Sequence, residues 1–201
     1  PYIPYPSGGA LERTGYPAGA LADLLAPMGF DLVTHDFVFL GDTMPAEIVT
    51  ATNGTSAALT PTATTSRGLG LVTGTDDNGY AGIGTSLAFN GDRGVLAEFL
   101  LQMPATITTM KIEAGLTDAL NDAGAVNVKA TPTATATDFG VLVYDTDDDT
   151  NLAAVSAKGG TVVGSQDLVA LAGSDILYLA VRALGDNVEF FYQKNGMRNP
   201  V

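Results

Sequence analysis

The chain holds one histidine, His35, in the run Thr34-His35-Asp36. An imidazole beside a carboxylate is the start of a general base oriented by an acid. The run reads as strand, however, and neighbours along a strand point to opposite faces, so Asp36 would turn away from His35. No cysteine is present, and no serine stands in a nucleophile-elbow setting to complete a triad. Paired carboxylates could hydrolyse a glycosidic bond if two of them alternated along one strand beside an aromatic sugar platform. The glutamates Glu12, Glu47, Glu98, Glu113 and Glu189 stand singly, with no E-x-D-x-x-E arrangement, and tryptophan is absent. Tyrosine would have to supply any sugar-stacking surface. These residue types and spacings predict no catalytic residue.

Two acidic clusters have the chemistry to hold a hard cation. One is Asp76-Asp77-Asn78 in the loop GTDDNG; the other is Asp145-Thr146-Asp147-Asp148-Asp149 in YDTDDDTN. The second opens like a calcium loop, D-x-D-x-D, with Asp145, Asp147 and Asp149 as the candidate ligands. It then departs from the template, since Thr150 stands where the sixth-position glycine belongs and Ser156 where the bidentate glutamate belongs. A hairpin turn accounts for the same residues, because Asp and Asn favour turns and both flanks look like strands. The reading adopted is no bound metal and no cofactor. Gly68-Leu69-Gly70 is followed by neither a third spaced glycine nor a helix, so it is no phosphate loop. Asn53-Gly54-Thr55 matches a glycosylation sequon, but the opening Pro1-Tyr2-Ile3-Pro4-Tyr5-Pro6 lacks the basic start and apolar run of a signal peptide.

The elements that would position these groups follow from composition and periodicity. The 201 residues suit one substantial core plus an arm. Hydrophobic residues at 46% against 15% charged favour folding over disorder. A formal charge of −13 repels a phosphate backbone and offers no Lys/Arg footprint for nucleic acid or anionic lipid. No run approaches the roughly 18 apolar residues that cross a bilayer as a helix. Without cysteine, stability has to come from packing and sheet pairing.

Residues 1–30 differ from the rest. Pro1, Pro4, Pro6 and Pro17 lie among Gly8, Gly9, Gly15 and Gly19, which predicts an extended arm. Tyr2, Ile3, Tyr5 and Tyr16 give that arm apolar groups to bury against a partner. Leu21, Leu24 and Leu25 allow a short helix over 20–27. Residues 31–201 read as β. Strands are predicted over 31–40, 46–52, 68–73, 82–89, 94–103, 107–116, 125–130, 138–145, 152–158, 161–165, 175–183 and 187–194, the spacing of a sandwich and not of βαβ units.

Alternation is clearest in two segments. Met110, Ile112, Ala114 and Leu116 fall on one face with Lys111 and Glu113 on the other; Val188, Phe190 and Tyr192 oppose Glu189 and Phe191. Residues 176–183 (ILYLAVRA) are apolar on both sides up to Arg182, which predicts a place deep in a sheet or under a second layer. Gly185-Asp186-Asn187 then supplies a tight turn. Residues 50–66, rich in Thr, Ala and Ser, read as a long weakly packed loop or an edge hairpin, and residues 131–137 (TPTATAT) as a shorter segment of the same kind.

From about residue 98 to 196 the chain resembles a recurrent class of tailed-bacteriophage virion proteins with a concanavalin A-like fold. The residues that carry the likeness are Phe99-Leu100-Leu101, Lys111-Ile112-Glu113-Ala114-Gly115-Leu116-Thr117-Asp118 and Phe139-Gly140-Val141-Leu142-Val143-Tyr144-Asp145-Thr146-Asp147. Tyr178-Leu179-Ala180-Val181-Arg182 and the closing Val188-Glu189-Phe190-Phe191-Tyr192-Gln193-Lys194-Asn195-Gly196 complete it. The resemblance implies an all-β, antiparallel jelly-roll β-sandwich with an extended N-terminal arm. It also implies a non-enzymatic structural protein of the virion: a capsid decoration or head protein on the phage head surface, made in the host cytoplasm. Its partners would be the major capsid protein and copies of itself in a homo-oligomer, with no nucleic acid and no membrane. The alternative is a carbohydrate- or receptor-binding lectin-like module of a phage fibre. Such sandwiches usually continue with a further strand after the Asn-Gly turn, whereas this chain runs only to Val201.

Overall fold

The computed structural model describes residues 44–46, 48–62, 68–85, 89, 91, 94–120 and 123–195. The expected arm over 1–30, the helix over 20–27 and the strand over 31–40 with His35 lie outside them, as do Tyr2, Ile3, Tyr5 and Tyr16. The chain divides into two compact units, residues 1–45 with 61–69, and residues 46–60 with 70–201. Nearly everything described belongs to the second.

The described residues are all-β. Their strands are β1 (Ile48–Asn53), β2 (Ala58–Thr62), β3 (Gly68–Val72), β4 (Tyr80–Thr85), β5 (Val95–Gln102), β6 (Lys111–Thr117), β7 (Phe139–Asp145), β8 (Asn151–Lys158), β9 (Thr161–Ala170), β10 (Ile176–Leu184) and β11 (Asn187–Lys194). They form two ribbons, β1-β4 and β2-β3, a three-stranded sheet in the order β11-β10-β5, and a four-stranded meander β6-β7-β8-β9. Pairing within both larger sheets is antiparallel throughout. Residues 50–66 are therefore not one loop. Asn53 ends β1, a turn follows, and β2 pairs with β3, which is the edge-hairpin form of the expectation. Pro61 lies in β2, and a two-stranded ribbon tolerates a residue that donates no ladder bond.

The two larger sheets face each other across one core. Leu142 and Tyr144 of β7 and Leu152 and Ala154 of β8 meet Leu177, Leu179 and Val181 of β10, with Phe99, Leu101, Val188 and Phe190 packed around them. Met110, Ile112, Ala114 and Leu116 all turn into this core, as the alternation predicts. Gly140 allows the close approach of the sheets here, since a Cβ on it would sit 2.5 Å from Val188 Cγ1, and valine has little rotameric freedom with which to give way.

The alternate residues of β7 and β8 build a second core on the opposite face. Phe139, Val141, Val143, Ala153, Val155 and Ala157 pack beneath Ala125, Val126 and Ala136. Every residue of β7 is consequently buried. The covering layer is the connection from β6 to β7, residues 118–138. It is not the strand predicted over 125–130: its described residues make one antiparallel bridge, Val126 with Ala134, and otherwise run through turns, bends and irregular backbone. The physical reason is that its backbone is bonded by side chains from β6. Glu113 accepts the N–H groups of Ala125 at 2.6 Å and Val126 at 3.2 Å. Lys111 donates to the carbonyls of Val126 and of Ala123, the latter at 3.2 Å, and pairs with Glu113 at 2.8 Å. Lys111 and Glu113 do point away from the first core, but they hold the cover over the second. β6 also starts later than predicted, at Lys111, because Thr109 adopts a left-handed φ of 57° just before it.

β10 is the central strand of its sheet, and on its outer face Ile176 and Arg182 are exposed while Ala180 is buried. The two-residue turn that joins it to β11 places Gly185 at φ 58°, the conformation glycine supplies in tight hairpins.

Replacing Glu113 by Ala removes the acceptor for two backbone donors of the cover. Unfolding free energy should fall by about 2 kcal/mol, the range for bonds to a charged group. Hydrogen exchange should speed up at Ala125 and Val126 while the amides of β7 and β8 stay protected. Uniform deprotection of all four sites would show that the cover and the sheet unfold as one.

Candidate functional site

The acidic hairpin between β7 and β8 surrounds an ammonium group of the chain itself. Lys129 enters from the covering segment with only 1% of its side chain exposed. Its Nζ hydrogen-bonds the Asp149 carboxylate, lies 3.2 Å from Asp148 and 3.7 Å from Asp167 on β9, and donates to the Asn151 carbonyl at 3.1 Å. Asp149 in turn accepts the Asn151 backbone N–H at 2.7 Å and its side-chain amide at 2.8 Å.

The three candidate calcium ligands are not brought together. Asp149 faces Lys129. Asp145 is buried, and its Oδ1 accepts the Asp147 N–H at 3.1 Å while its carbonyl accepts from Asp148 and Asp149, each at 3.3 Å. Among the described residues no group of three or more His, Cys, Asp or Glu is arranged to hold a metal ion. In the other acidic loop, Asp76 accepts the Thr55 N–H at 2.6 Å and its carbonyl accepts from Gly79 at 3.2 Å, so it fixes the turn between β3 and β4 against the turn after β1.

A second charged joint closes the far end of the sheets. Buried Asp175 accepts the Ala172 N–H at 2.7 Å, the Asn195 amide at 2.6 Å and the Lys194 ammonium at 3.0 Å. Asn195, at φ 52°, also exchanges bonds with Ile176: its Oδ1 accepts the Ile176 N–H at 2.9 Å, and its own N–H donates to the Ile176 carbonyl at 2.8 Å. The closing Asn of the sequence motif is thus a structural fastener for β10 and β11.

The remaining glutamates of the described region are paired as well. Tyr178 O–H donates to Glu98, and Arg182 meets Glu189 at 2.5 Å. A depression of about 210 Å³ lined by Arg182, Leu184, Asn187, Val188 and Glu189 lies at the β10–β11 turn. It is smaller than a usual ligand pocket, and the charges beside it are bonded to each other. Beside it, the outer face of β11-β10-β5 carries exposed Leu96, Leu100, Ile176 and Phe191. Sequence reasoning did not single these residues out as a surface. The signal available was their parity: Leu96 and Leu100 alternate with inward Phe99 and Leu101, and Phe191 shares the face of Glu189.

Burial alone would push Lys129 down, but hydrogen bonds to Asp149 and Asp148 outweigh it and hold the ammonium above its ordinary 10.5. The Asp149 carboxyl lies below its ordinary 3.8, held there by Lys129 and then by the Asn151 N–H. Burial would raise Asp175, yet the Ala172 N–H, the Asn195 amide and Lys194 keep it below 3.8. Burial raises the Tyr144 hydroxyl above 10.0.

Carboxyls depressed in the folded state stabilise it above 3.8, and that contribution is lost as pH falls through their folded values. Groups raised in the folded state, Lys129 and Tyr144, contribute below their ordinary values and lose the contribution as pH rises through the folded ones. For these groups a denaturant midpoint should be flat at neutral pH and decline below 3.8 and above 10.0. Lys129→Met should make the alkaline decline shallower, leaving the part that belongs to Tyr144. It leaves Asp148 and Asp149 facing each other, at a cost of about 2 kcal/mol because both are partly solvated, or roughly 4–8 °C in melting temperature. Lys158→Met, which breaks an exposed pair with Asp186, should leave the melting temperature unmoved. Equal shifts in the two variants would remove the special standing of Lys129.

Comparison with protein-family models, with curated proteins and with solved structures finds no match to this chain.

Proposed function

We propose that the chain is a non-enzymatic structural protein of a bacteriophage particle: a decoration or head protein whose jelly-roll sandwich is a rigid body and whose residues 1–30 dock on the shell. The observation that carries the non-enzymatic part is the employment of the charged groups. Asp76, Glu113, Asp145, Asp149 and Asp175 accept backbone N–H groups, and Lys111, Lys129 and Lys194 bind backbone carbonyls. Chemistry needs a proton donor or acceptor aimed at a space that a substrate can enter; these groups are aimed at the chain's own backbone. The virion part rests on the resemblance of residues 98–196 to phage lectin-like sandwiches. The two facing sheets, with β5-to-β6 and β9-to-β10 connections crossing between them, support the sandwich half of that likeness.

A rigid body that coats a symmetric shell gains from many weak contacts made together. The full-length chain should co-sediment with tailed-phage heads that lack it, at a fixed ratio to the major capsid protein. Joint replacement Tyr2→Ala, Tyr5→Ala and Tyr16→Ala should abolish co-sedimentation without moving the melting temperature. A wild-type chain that ignores heads but is retained on a glycan array would transfer the assignment to the fibre lectin.

A further inference from the structure

The turn from β3 to β4 carries a chemically labile dipeptide that its own geometry selects. Asn78 has φ 62°, a left-handed conformation in which Asn is one of the few residues with a side chain to be at ease. The next residue has to be glycine, because a Cβ on Gly79 would sit 2.0 Å from the Thr73 carbonyl oxygen. In an Asn-Gly pair the glycine nitrogen, with no side chain beside it, can approach the amide carbon of the preceding residue.

We propose that Asn78 is a site of spontaneous covalent modification in the folded protein, deamidating through a succinimide to aspartate and isoaspartate. Hydroxide takes the proton of the Gly79 nitrogen, which attacks Cγ of Asn78. An N–C bond forms, the bond from Cγ to Nδ2 breaks, and Nδ2 leaves as ammonia with a proton from water. Water then opens the ring at either carbonyl, and no oxidant or reductant is consumed.

The structure separates this pair from the others. Asn-Gly also occurs at Asn53, Asn90 and Asn195, of which Asn90 lies outside the described residues. Asn195 is fastened on both ends of its amide: the nitrogen donates to Asp175 at 2.6 Å and Oδ1 accepts the Ile176 N–H at 2.9 Å. Asn53 ends β1, where the ladder pairs it with Tyr80. Asn78 is exposed in a turn, and among the described residues its side chain has no hydrogen-bond partner. The Gly79 N–H is held by a bond to the Asp76 carbonyl at 3.2 Å. A reaction that needs local opening runs fastest where the fewest bonds must break.

The product changes the turn. Aspartate adds a negative charge beside Asp76 and Asp77 at neutral pH, and isoaspartate also lengthens the main chain by one carbon. Asp76 holds the Thr55 N–H at 2.6 Å, so the bond between this turn and the one after β1 loosens as the protein ages. The inference rests on the turn and does not depend on the particle role.

Incubation of the full-length chain at mildly alkaline pH, followed by peptide mapping with fragmentation, tests it. Asn78 should gain about 1 Da as its amide nitrogen is replaced by oxygen, and isoaspartyl methyltransferase should label the aged chain at this residue. Conversion should precede that of Asn53 and outpace that of Asn195 by at least about tenfold. In urea, where the fastener is gone, Asn195 should draw level. Amide exchange at Thr55 should quicken with age in wild type but not in Asn78→Gly, which keeps the left-handed turn and lacks the reacting amide. Matching circular dichroism melts establish that this variant is folded. An Asn78 that stays intact while Asn53 or Asn195 converts overturns the proposal. So does conversion of Asn78 that appears only in urea, or one that Asn195 equals in native buffer. Thr55 exchange that ageing leaves unchanged would refute the coupling of the two turns.

Discussion

A strand with apolar side chains on both faces must be covered twice, and β7 imposes that requirement on everything around it. Leu142 and Tyr144 face one way, Val141 and Val143 the other, and all four are buried. The three-stranded sheet answers the first demand. Among the described residues no strand packs on the second face; the β6–β7 connection does, although it is rich in Ala and Thr and forms almost no ladder. Small side chains suit a thin irregular cover, because backbone can approach the sheet closely. The cost is that this backbone needs partners for its N–H and C=O groups, since burying them unpaired is unfavourable.

Lys111 meets part of that need, and two other lysines bond backbone carbonyls in the same pattern. Lys111 binds the carbonyls of Ala123 and Val126 with Glu113 at its side. Lys129 binds the Asn151 carbonyl beside Asp149, and Lys194 binds the Ala170 carbonyl beside Asp175. Each cation therefore joins a backbone carbonyl to a carboxylate that itself holds a backbone N–H. With only nine Lys and Arg in the chain, committing three to such joints leaves the exterior strongly acidic.

Much of the sheet structure was legible in the sequence. Met110 to Leu116 alternates with period two and faces the core as read, and Gly185-Asp186 makes the hairpin its residue types demand. The second core was not legible, because residues 125–130 look like a strand by composition while the Ala125 and Val126 N–H groups and the Val126 carbonyl bond Glu113 and Lys111, a partnership across more than ten residues that no local pattern encodes. The acidic hairpin illustrates the same limit. D-x-D-x-D announces a cation, and a cation is present as Lys129, supplied from 20 residues upstream of Asp149. Local spacing identifies the charge that a site wants without identifying who provides it.

The pairing of β5 with β10 has a consequence for how the chain is made. Tyr178 and Glu98, which meet across these strands, are 80 residues apart, whereas β6 to β9 pair each with the next in order. Local meanders close early and distant pairings late. At about 5–20 residues per second of synthesis, β5 waits roughly 4–16 s on the ribosome before its partner emerges. For that interval Leu96, Phe99, Leu100 and Leu101 stand on an unpaired strand, which is an opportunity for association during synthesis, and Glu98 is the one charge within β5 that opposes it.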